Sequence, residues 1–124
     1  MKQKRPINLD LGSLKYPPMA IASILHRISG ILLFVLMPVA FYFIDLSLQS
    51  EESFHKVGEM MAHPFSKLVF WGLGAALIYH FLAGIRHMLM DLGYGEHLES
   101  GRRGAILVIS ASVIFSLLLG ICIW

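Results

Sequence analysis

Charge is scarce in this chain. Only 15% of its 124 residues are Asp, Glu, Lys or Arg, against 56% apolar, whereas a soluble domain carries about a quarter charged. That balance excludes an ordinary soluble domain of this length. Cysteine is scarcer still. A lone Cys122 rules out a disulfide framework within the chain and a thiolate-held iron–sulphur cluster, and it reads as a buried, inert thiol inside an apolar stretch. No glycine-rich phosphate loop or nucleotide fingerprint is present, so neither a flavin nor a nucleotide has a home in this chain alone. Repeats and low-complexity tracts are also missing. Without an inverted repeat, a small transporter is a poor reading. No nucleic-acid partner is expected.

Long apolar runs are what the chain does have. They are "ISGILLFVLMPVAFYFIDL" (28–46), "LVFWGLGAALIYHFLAGIRHMLM" (68–90) and "GAILVISASVIFSLLLGICIW" (104–124). Each approaches or exceeds the roughly 20 residues an α-helix needs to cross a ~30 Å hydrocarbon core. The expected fold is therefore all-α and integral to the membrane, with spans near 23–48, 65–91 and 103–124 behind an N-terminal arm over 1–22. The first run starts too late and runs too long for a cleaved signal peptide, so it is expected to stay in the mature protein.

Lys2, Lys4, Arg5 and Lys15 face a single acid, Asp10, in the arm, and Arg86, Arg102 and Arg103 flank the second connection. Acids dominate the first connection. Counting Lys and Arg puts the N-terminus and second connection in the cytoplasm and Trp124 at the opposite interface. In the arm, Pro17–Pro18 is expected to interrupt any long helix. Pro38 removes a hydrogen bond within the first span. Between the spans, Phe54, Val57 and Met61 fall at helical spacing, which predicts a short interfacial helix, with Pro64 in the first turn of the second span. "DLGYGEHLESGRRG" reads as a polar, glycine-punctuated turn.

Against this background the cations stand out. His80 falls about 13 residues into the second span, or ~20 Å along its axis. Ala76, Gly84 and His87 lie within about 40° of it on one face. Small residues beside a ring nitrogen leave room for a flat group, a combination that suits a histidine-ligated haem. The competing reading is helix packing, with His80 hydrogen-bonded across an interface. His87 is ~10 Å further along, too far for both to ligate one iron. A second axial ligand must then come from another polypeptide, unless His26 reaches deeper than its place near the start of the first span suggests.

"SILHRISG" (23–30) puts Ser23 and Arg27 at i and i+4 on one face, with His26 beside them and Gly30 continuing the stripe. An arginine at a span's centre costs about 2.5–3.5 kcal/mol on insertion scales, and less near an interface. Arg27 with a hydroxyl and an imidazole can hold a carboxylate or a quinone carbonyl, and a guanidinium stabilises negative charge developing on a quinone oxygen. Snorkelling to headgroups is the alternative. It is the expectation for Arg86, which points about 120° away from His80.

Together, "RPINLDL … SILHRISG … YHFLAGIRHMLMDLGYG" resembles the cytochrome b membrane-anchor subunit of bacterial succinate dehydrogenase (succinate:quinone oxidoreductase, respiratory complex II), over nearly the whole chain. The resemblance implies that His80 is one axial ligand of haem b, with the other from a second small anchor subunit. It implies that Ser23 and Arg27 belong to the ubiquinone pocket, and that His26 and Arg27 lie near the haem propionates. His87 and Asp91 are nearby motif positions. A flavoprotein subunit and an iron–sulphur subunit would dock on the cytoplasmic side of the bacterial inner membrane. They would deliver electrons of the tricarboxylic acid cycle's succinate oxidation to ubiquinone, with no catalysis by this chain alone. A structural anchor without haem, and the equivalent subunit of a quinol:fumarate reductase, are the alternatives.

Overall fold

The computed structural model describes residues 17–124. Most of the arm expected over 1–22, including its basic residues, lies outside that range. Four helices follow in order: α1 (Pro18–Gln49), α2 (Glu51–Met61), α3 (Pro64–Asp91) and α4 (Leu98–Ile123). Among the described residues there is no strand. Three of the helices, α1, α3 and α4, are long and apolar enough to cross a membrane. The chain is an all-α, three-span membrane protein.

Local chemistry sets the helix ends. Pro17 is held extended (φ −67°, ψ 156°) and Pro18 opens α1. A residue before proline avoids the helical region, whereas proline itself suits the first helical position. The Pro17–Pro18 pair therefore marks a helix start, and α1 begins at Pro18, ahead of the position near 23 expected for the span. Ser50 caps α2, its Oγ accepting from the Ser53 N–H at 3.0 Å, with Glu51 and Glu52 in the first turn where the helix dipole favours them. Pro64 opens α3 behind His63, whose Nδ1 accepts from the Phe65 N–H. At the far end of α3, Gly93 adopts φ +94°. The Gly93 N–H bonds to the Met90 carbonyl and the Tyr94 N–H to the Leu89 carbonyl, a Schellman closure that turns the chain toward α4.

The interior is narrow and built from small residues. On α4, Gly101, Ala105, Ser112 and Gly120 are buried, a small-residue stripe that lets α3 approach closely. At one end Trp71 Nε1 donates to the Ser116 carbonyl at 2.7 Å, and a Cβ on Gly120 would lie 2.8 Å from that indole. Cys122, two residues beyond Gly120, points elsewhere. It is exposed on this chain rather than buried, because the stripe, not the run as a whole, faces α3.

At the other end Arg86 departs from the snorkelling expectation. It is only 9% exposed, and its Nη2 donates to the Gly101 carbonyl at 3.2 Å. Glycine at 104 leaves space on α4 against which the Arg86 side chain folds, since a Cβ there would lie 3.4 Å from its Nε. Elsewhere large side chains face outward; Phe34 is 82% exposed and Ile121 74%. In a span, such residues meet lipid or other subunits.

Candidate functional site

Helix geometry decides which polar groups of α1 meet α3. Taking His26 as reference, Ala22, Ser29 and Gly30 fall within about 60° of it, while Arg27 is about 100° away. Ala22 and Ser29 are buried, His26 and Gly30 are half-buried, and Arg27 is exposed. The face carrying His26 looks at α3. There Tyr79 Oη donates to the Ala22 carbonyl at 2.5 Å, pinning α1 to α3 one position before His80.

His80 sits in the resulting seam. Its imidazole stacks on that of His26, ring centroids 4.1 Å apart and planes within 8°. His87 approaches the same His26 ring at 5.0 Å, tilted by 59°. His26 thus does reach the depth of His80. Yet two parallel rings 4.1 Å apart leave no room for a macrocycle between them, so in this arrangement they are not trans ligands of one metal.

Ser29 went unnoticed in the sequence. Its Oγ lies 3.0 Å from His80 Nδ1 and donates to the His26 carbonyl at 2.8 Å. A hydroxyl has one hydrogen. With that hydrogen given to the His26 carbonyl, Ser29 accepts from Nδ1–H of His80. The tautomer is thereby set, and Nε2 of His80 keeps its lone pair. A hydrogen-bonded distal nitrogen is the usual way a ligating imidazole is oriented and made more basic.

Glycines in the seam seat the two imidazoles. A Cβ at Gly30 would meet His80 Cε1 at 3.3 Å, and one at Gly84 would come within 4.0 Å of His26 Nε2. Ala76 and Ala83 are buried on the same side of α3. Among the described residues, no three His, Cys, Asp or Glu side chains converge as a metal cage. A single prepared imidazole nitrogen in a small-residue seam fits a metal whose equatorial positions a macrocycle fills.

The remaining candidates stay outside this cluster. Ser23 is half-buried and Arg27 exposed. Asp91 closes α3 and is exposed. Among the described residues, Arg27 and Asp91 take part in neither of the ion pairs, which are His55–Glu51 and Arg103–Glu99.

Comparison with known proteins agrees with this architecture. Residues 1–119 match the family model described as succinate dehydrogenase/fumarate reductase transmembrane subunit. The chain belongs to this family. It is 45% identical over 125 residues to the succinate dehydrogenase cytochrome b556 subunit of Coxiella burnetii, covering both chains completely. The cytochrome b556 subunit of Paracoccus denitrificans is 29% identical over 114 residues, 92% of this chain and 88% of the relative. The cytochrome b560 subunit of Porphyra purpurea is 31% identical over 99 residues, 77% of this chain and 78% of the relative. The resemblance seen in the motifs is thus borne out: the family is that of membrane subunits of an oxidoreductase complex, not of free-standing enzymes.

Proposed function

We propose that this chain binds haem b together with a second small anchor subunit and forms part of the ubiquinone-reduction site of a succinate dehydrogenase. The carrying observation is the Ser29–His80 hydrogen bond, which leaves Nε2 of a buried-seam histidine ready to ligate. The cytochrome b names of the relatives support the haem. When bound, haem b supplies one-electron chemistry within the membrane. His80 would hold its iron, Ser29 would fix that imidazole, and His26 and Arg27 would lie near its propionates. With His26 stacked on His80, a residue of the second anchor subunit would complete the hold on the group.

Ser23 and Arg27 serve the quinone. Arg27 is turned outward from the α1–α3 seam, toward groups that other subunits bring. Its guanidinium and the Ser23 hydroxyl donate to the quinone oxygens and stabilise charge gained there on reduction. His87, beside His26, and Asp91, at the end of α3, are weaker members of the site. The Lys and Arg distribution supports a cytoplasmic N-terminus, with the flavoprotein and iron–sulphur subunits docked on that face of the bacterial inner membrane. Forward succinate oxidation is the reading adopted over quinol:fumarate reduction, in line with the relatives' names.

The test is Arg27→Leu in the assembled complex. Succinate-dependent ubiquinone reduction should fall by about tenfold or more, since hydrogen bonds to a charged group contribute about 1.5–3 kcal/mol. Reduction of a soluble dye by the flavoprotein should stay as in wild type. Undiminished ubiquinone reduction by an intact complex contradicts the assignment.

A further inference from the structure

Beyond the haem seam, and independent of it, a second polar feature is buried at the end of the bundle where α3 stops and α4 begins. Arg86 is 9% exposed. Of its five N–H donors, one has a protein acceptor among the described residues, Nη2 to the Gly101 carbonyl. Its Nε is fully buried without a partner, lying close enough to α4 that a Cβ on Gly104 would sit 3.4 Å away. No carboxylate pairs with it among the described residues; the acid nearest in sequence on α4, Glu99, is engaged with Arg103 at 3.1 Å. A guanidinium within a span and without an anion is costly.

The same arginine lines a cavity of about 460 Å³ between α3 and α4. Leu82, Leu89, Leu107 and Ala111 supply apolar walls along the helices, while Tyr94 and Ser100 join Arg86 at the loop end. Arg86, Tyr94 and Ser100 thus lie at the end of the cavity nearest the α3–α4 loop, where the chain leaves the membrane. From there an oily channel extends toward the bilayer centre. That is the polarity of a phospholipid: an anionic phosphate over an acyl chain. A neutral quinone would fill the channel but leave the charge unanswered.

We infer that the α3–α4 groove is a phospholipid site in which Arg86 receives the phosphate and the Leu82–Ala111 channel receives one acyl chain. The occupant supplies the counter-ion that the described residues do not, and it fastens the α3–α4 end of the bundle.

The assembled complex in detergent, washed free of endogenous lipid, tests this directly. Palmitoyl-oleoyl phosphatidylglycerol, or the diacylglycerol with the same chains, is added, and retained lipid is counted by native mass spectrometry. Wild type should retain one more phosphatidylglycerol than either Arg86→Gln or Leu107→Trp. The latter fills the channel from an exposed position and leaves the guanidinium intact. In wild type, diacylglycerol should not be retained at that stoichiometry, and millimolar inorganic phosphate should not displace the lipid. Equal retention by wild type and Leu107→Trp overturns the proposal, as does displacement by phosphate. A wild-type complex that retains no added lipid, as when a partner's helix fills the groove, also overturns it. Should Arg86→Gln fail to assemble, the Leu107→Trp and phosphate arms still decide.

Discussion

The Oγ of Ser29 bridges His80 Nδ1, at 3.0 Å, and the His26 carbonyl, at 2.8 Å. One small side chain on α1 therefore governs which nitrogen of an α3 histidine is free. Replacing it with alanine strands Nδ1–H in the seam and weakens the imidazole as a donor. For Ser29→Ala, transfer of haem from the complex to a scavenger should speed up by about 10- to 100-fold, and the haem midpoint potential should rise because the oxidised iron loses donor strength. Ser29→Thr, which keeps the hydroxyl, should restore both. Unchanged potential and retention in Ser29→Ala would remove the serine from the site.

Ser23 is expected to act on the quinone alone. As a neutral donor it contributes about 0.5–1.5 kcal/mol, so Ser23→Ala should raise the KM for ubiquinone several-fold. The haem spectrum should not change. A spectral change without a KM effect would place Ser23 with the haem instead.

Tyr79 ties α1 to α3 through its hydrogen bond to the Ala22 carbonyl. Interhelical hydrogen bonds in membranes average about 0.6 kcal/mol. Tyr79→Phe should therefore assemble and function, with only a small fall in the temperature at which the complex loses haem. A large fall would mean that the bond also holds His80 in register.

Gly120 is a packing constraint, not a flexible joint. A Cβ there would sit 2.8 Å from atoms of the Trp71 ring, and forcing extra volume into such a contact costs about 1–3 kcal/mol. Gly120→Ala should lower thermal stability of the complex and alter Trp71 fluorescence, while leaving quinone reduction in the surviving complex intact. A wild-type melting profile would show that α3 and α4 can part freely at this end.

Much of this architecture could be read from the residues. Apolar run length gave α1, α3 and α4, the spacing of Phe54, Val57 and Met61 gave α2, and Pro64 gave the start of α3. His80 was picked out by its small neighbours on one face. Other features depend on which helix faces which, and a single helix cannot reveal that. His26 and Arg27 looked like one cluster, but adjacent residues diverge by about 100°, so the α1–α3 seam takes the first and excludes the second. Ser29 carries no distinguishing residue type in a membrane helix; its signal is the position three residues after His26, on the face that meets α3. Arg86 is buried because α4 offers it the bare backbone of Gly104 and the carbonyl of Gly101, which its own helix does not reveal. Cys122 looked buried because its whole run is apolar, yet only the small-residue stripe of that run is covered.

Ligation of haem by His80 is tested most directly by a reduced-minus-oxidised optical spectrum of the assembled complex, wild type beside His80→Ala. Wild type should show a b-type α-band that is lost or shifted in the variant. An unchanged band in an assembled His80→Ala complex, or no band in wild type, would contradict that ligation, the latter leaving a membrane anchor without haem.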